Sequence, residues 1–105
     1  MDNSMRRKAS KHLFNMPYYT FIMDYMGGTY IPQVKASSHK TAFIKGATAL
    51  KENRIEGLGV RTKALLIEKL TAEESAPVIG VENVWCHTAL VRGRLALITL
   101  VQTER

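Results

Sequence analysis

The stretch YYTFIMDY-MGG-TYIPQVKA, from Tyr18 to Ala36, decides the fold. Tyr19, Phe21, Met23 and Tyr25 alternate with Tyr18, Thr20, Ile22 and Asp24, the two-residue period of a β-strand. Aromatic and β-branched residues dominate, as strands favour. Gly27 and Gly28 tolerate the positive φ of a tight reversal, so Thr29 to Ala36 is expected to pair back as a hairpin. Pro32 has no N–H to give to a ladder, which puts this returning strand at a sheet edge or at a bulge.

A second phrase of the same kind closes the chain: VWCHTALV from Val84, the turn Arg92-Gly93, and RLALITLVQT to Thr103. Val84, Cys86, Thr88 and Leu90 alternate with Trp85, His87, Ala89 and Val91. In the last strand Leu95, Leu97 and Val101 face one way and Ala96, Ile98 and Leu100 the other. An apolar pattern on both faces predicts a central strand buried on both sides.

The middle is helical. Ser37 and Ser38 can cap a first helix, whose stripe is Ala42, Phe43, Gly46, Ala47 and Leu50. The small residues at 46 and 47 predict a close approach to the sheet. This helix should end near Asn53, ahead of Gly57 and Gly59. A second helix is expected over Arg61 to Leu70, burying Leu65, Leu66 and Leu70. Residues 71–77 form a polar exit, and Val78 to Val81 are a short strand or a lead-in to the next. Together these readings predict an α+β, two-layer sandwich of order β-β-α-α-β-β, an antiparallel sheet of about four strands with both helices on one face. Residues 16–105 form the single domain, and residues 1–15, without apolar periodicity, form a flexible basic N-terminal extension.

Composition bounds the function. A chain of 105 residues holds one core, and 46% hydrophobic with 23% charged residues is ordinary for a globular protein. One cysteine, Cys86, excludes an intramolecular disulfide. No apolar run approaches the ~20 residues of a membrane helix, and no apolar stretch follows the early basic residues as in a secretory signal. Cytoplasmic localisation without membrane contact is the expectation. The net charge of +6 divides evenly. Arg6, Arg7, Lys8 and Lys11 against Asp2 give the extension +3, and eleven basic with eight acidic residues give the rest +3. The folded part is thus only mildly basic, and the extension carries the candidate phosphate contacts Arg6, Arg7, Lys8 and Lys11.

Catalytic and metal motifs are missing. Cys86 and His87 are adjacent, and neighbours on a strand point to opposite faces, so they cannot form a dyad. The expectation is a buried thiol and a half-exposed imidazole. His12, His39 and His87 lack the spacing of metal ligands. Gly27-Gly28 joins two strands, where it has no helix N-terminus behind it to hold a phosphate. No residue set completes a nucleophile, base and oxyanion arrangement, so no enzyme activity, no cofactor and no metal are expected. The aromatic residues Tyr18, Tyr19, Tyr25, Tyr30 and Trp85 serve either the core or an interface.

The first hairpin and the helix behind it, Tyr18 to Leu50, resemble the N-terminal part of HicB-type antitoxins: two strands, a glycine turn, then an alanine-rich helix opening on Ser-Ser. The likeness covers under a third of the chain. Its departures are QVKASS, in place of a Pro-Asp-Leu-Pro-Gly-Cys-like segment, and the missing C-terminal DNA-binding module. No site residue carries over.

The resulting expectation is a small non-catalytic interaction domain that binds a protein partner or self-associates as a homodimer. Its expected partner surface is Tyr18, Asp24, Tyr25, Tyr30 and Pro32, in the first hairpin, with the second hairpin mainly structural. The alternative is a nucleic-acid-binding or HicB-like antitoxin regulator that uses the basic arm.

Overall fold

The computed structural model describes residues 16–104. In chain order the elements are β1 (Tyr18–Tyr25), β2 (Gly28–Tyr30), β3 (Gln33–Lys35), α1 (His39–Ala49), a 3-10 turn (Glu52–Arg54), α2 (Val60–Ala72), β4 (Ala76–Pro77), β5 (Val84–Val91) and β6 (Arg94–Glu104). One antiparallel sheet runs β2-β1-β6-β5-β4, and β3 continues the β2 edge along β1. The fold is the expected α+β sandwich with six strands.

Two local causes account for the additional strands. Pro32 divides the returning strand into β2 and β3, although its carbonyl still accepts from Phe21 N–H at 3.0 Å. Ala76–Pro77 adds a two-residue pairing against Cys86 and Trp85. Residues 78–81 remain a loop.

Both hairpins turn on two left-handed residues: Met26 and Gly27 (φ 49° and 83°), then Arg92 and Gly93 (φ 53° and 80°). These are type I′-like turns, whose twist matches that of paired strands. The first reversal therefore lies one residue earlier than the glycine pair suggests, and Gly28 already belongs to β2.

Tyr19, Phe21, Met23 and Tyr25 point inward from β1, as their period requires, and meet Ala96, Ile98 and Leu100 of β6. His87, Ala89 and Val91 of β5 complete this face. Over it lie α1, through Ala42, Phe43, Gly46 and Ala47, and α2, through Thr62, Leu66 and Leu70. Ser38 caps α1, its hydroxyl accepting from Thr41 N–H at 3.2 Å. This helix ends at Ala49, short of Asn53, and α2 extends to Ala72. Leu65 lies on the outer side of α2, partly exposed.

The strand β6 is central, as its apolar pattern predicts, but it is not buried on both sides. Leu95 and Leu97 are 53% and 44% exposed. Both helices belong to one crossover between the hairpins and cover the same face, so among the described residues no third layer exists to cover the other.

Candidate functional site

Cross-strand partners share a face, so the register defines the uncovered surface residue by residue. Leu90 pairs with Leu95, while on β6 Leu97 pairs with Thr88 and Asp24, Thr99 with Cys86 and Ile22, and Val101 with Val84 and Thr20. Leu90, Leu95 and Leu97 are the most exposed apolar members, with Leu90 at 58%. The flanking positions are threonines, aliphatic residues and a half-buried thiol. Asp24 is the one acid among these paired positions, and Thr29 Oγ1 donates to its Oδ1 at 2.6 Å. At the far end of β1, Tyr18 is exposed on this face with Lys35 Nζ 4.9 Å from its ring centroid. The exposed leucines therefore gather at the turn end of the face, beside Arg92-Gly93, and the rows beyond them mix threonines with Ile22, Cys86, Val84 and Val101.

The five expected partner residues separate into three places. Tyr18 and Asp24 lie on the uncovered face, six residues apart along β1. Tyr30 and Pro32 lie on the other side of the sheet edge and line a cleft of about 400 Å³ with Leu50, Lys51, Arg54 and Ile55. Tyr25 is not a surface residue. It is 2% exposed, and its hydroxyl donates to the Gly57 carbonyl at 2.9 Å, so it ties β1 to the loop before α2. The inward period of β1 includes position 25, and nearness to a turn does not alter it. Arg6, Arg7, Lys8 and Lys11 lie outside the described residues.

Behind the sheet a second group of polar side chains converges. His87 is 6% exposed, with its Nε2 3.6 Å from Glu73 Oε1 and its ring edge-on to Phe43 at 6.0 Å. Neither ring nitrogen makes a hydrogen bond. Beside it His39 stacks on Trp85 at 4.5 Å, and Tyr19 lies 6.2 Å from Trp85. Burial pushes the Tyr19 phenol up from its ordinary pKa, consistent with a packing role.

The expected burial of Cys86 and His87 is thus reversed: the imidazole is enclosed and the thiol is half-buried on the uncovered face. His87 follows the parity of Ala89 and Val91, which face the helices. The two side chains do point apart, and no dyad forms. Among the described residues no three His, Cys, Asp or Glu side chains converge as a metal site would need, and no helix is long and apolar enough to cross a membrane.

Sequence reasoning missed Leu95 and Leu97 as surface and the pairing of Tyr30 with Lys51 and Arg54 around one cleft. The first had a usable signal: two helices in a single crossover can cover only one side of an open sheet. The second joins an edge strand to a turn some twenty residues away, with no local pattern to mark it. No family model, curated protein or solved structure matches this chain.

Proposed function

We propose that this chain is a non-catalytic interaction domain that associates through the uncovered face of its sheet, with a second copy of itself as the occupant. The carrying observation is the exposed Leu90–Leu95–Leu97 cluster at the turn end of that face, with Thr88 and Asp24 on either side of Leu97. Three long strands at ~4.8 Å spacing and about 26 Å of length, with the short edge strands β2, β3 and β4, offer ~500 Å² per copy, the range of a weak or transient contact. An uncharged leucine cluster sets no like charges against one another across a two-fold axis, which an isologous contact must avoid. Apolar association of this kind responds weakly to salt.

The test is mass by light scattering across a concentration series, for the full chain and for Leu97→Lys. A dimer that the substitution converts to a folded monomer supports the reading. A wild-type chain that stays monomeric at about 100 μM, well above ordinary micromolar association, sinks self-association. A dimer that Leu97→Lys leaves intact, with mass still doubled, places the contact elsewhere and sinks this face.

A further inference from the structure

The cleft at the opposite side of the β2–β3 edge has a chemistry of its own. Tyr30, Pro32, Leu50 and Ile55 give it an apolar lining, and Lys51 and Arg54 stand exposed on one wall. Neither cation belongs to an ion pair among the described residues, whereas neighbouring Glu52 is engaged by Lys63 at 3.4 Å. Its two charges are therefore unbalanced locally. Ala49 and Leu50, at the C-terminal end of α1, also line the cleft. A helix C-terminus carries partial negative charge, which repels an anion held deep inside. The Leu50 carbonyl already accepts from Lys63 Nζ at 2.8 Å and offers no strong acceptor to a cationic ligand. Charge thus belongs at the mouth, against Lys51 and Arg54, and apolar substance belongs within.

We infer that this cleft binds a small amphipathic carboxylate, its apolar body against Tyr30, Pro32, Leu50 and Ile55 and its carboxylate between Lys51 and Arg54. The Arg54 guanidinium matches a carboxylate in a bidentate manner, and Lys51 adds a point charge. A phosphate dianion would call for a nest of backbone N–H groups, and a helix C-terminus is the opposite of one. The volume of about 400 Å³ lies at the small end of ligand cavities and admits a body of ~10–15 heavy atoms.

The inference stands apart from the sheet-face contact, and its test separates the two. The full chain, labelled with ¹⁵N, is titrated with sodium decanoate, with decanol and with decyltrimethylammonium, and amide shifts are followed. Decanoate is expected to give saturable shifts confined to residues 29–31 and 49–55. Decanol and the cationic amphiphile should bind more weakly. Lys51→Gln together with Arg54→Gln should weaken decanoate about ten-fold, the scale of two exposed charge contacts, and leave the oligomeric mass unchanged. Both side chains are exposed, so the double variant keeps its core. Shifts centred on Leu95 and Leu97, equal affinity for decanol, an unchanged affinity in the double variant, or no saturable shift at all would each overturn the site.

Discussion

Gly46 sets the distance between α1 and the sheet. A Cβ built there would meet the Phe21 ring, inside any real carbon–carbon contact. Phe21 is fully buried and cannot swing away. Gly46→Ala should therefore destabilise the fold by about 1–3 kcal/mol, the cost of overpacking, despite the better helix propensity of alanine. A lower urea midpoint with an unchanged m-value is the expected record, and a stabilised variant would mean that α1 stands farther from β1. At the other end of the same helix, Ser38 satisfies the Thr41 amide. Ser38→Ala should cost ~1 kcal/mol in the same measurement, the ordinary worth of an N-cap.

At the scale of elements, the turns and the helix junction can each be tuned separately. Arg92 occupies the left-handed region at φ 53°, where asparagine is better accommodated. Arg92 is exposed and makes no ion pair or cation–π contact among the described residues, so Arg92→Asn should stabilise the β5–β6 hairpin by about 0.5–1 kcal/mol, seen as a higher thermal midpoint. The junction between α1 and α2 rests on Lys63, which bonds the Leu50 carbonyl and the Glu52 carboxylate. A bond from its own backbone amide holds the Glu52 carboxyl below its ordinary range. Lys63 adds to this, and desolvation opposes it. A carboxyl lowered in the folded state contributes stability above its unfolded value and loses it as pH falls through the lower folded one. The urea midpoints of wild type and Glu52→Gln should accordingly differ at pH 7 and converge as acid protonates the carboxyl in both states. A gap that persists in acid would assign the effect to shape rather than charge. These elements were legible for local reasons: the period of β1, the serine before α1, and Gly46 with Ala47 on the sheet side each act within a few residues. The burial of Tyr25 follows the same β1 period, and only its position beside a turn masked it.

Across the whole molecule, what escaped the sequence is what covers what. The pattern from Leu95 to Val101 makes β6 central, and it is, yet centrality in a sheet and burial of both faces are separate properties. The second depends on a layer that residues 36–76 supply on one side only. For the same reason the second hairpin, with its leucines, carries more of the candidate contact surface than the first, and His87 rather than Cys86 is enclosed. This arrangement also fixes a gradient of stability. Strand β6 is bonded on both sides, by β1 and β5, while β2 and β3 are short pieces parted at Pro32 and β4 has two residues. Hydrogen exchange should show it: amides around Ile98 and Leu100 exchange only through global unfolding, and those of β2, β3 and β4 through local fraying, orders of magnitude faster. Beyond β4, the outer edge of β5 from Thr88 to Leu90 pairs with no strand among the described residues, so outward amides there should exchange quickly in an isolated chain. Association through the uncovered face leaves that edge in water, because face packing uses side chains and not ladder bonds. If exchange at Thr88 and Leu90 instead slows with protein concentration to the level of Ile98, the copies join edge to edge, and the sheet-face contact is wrong.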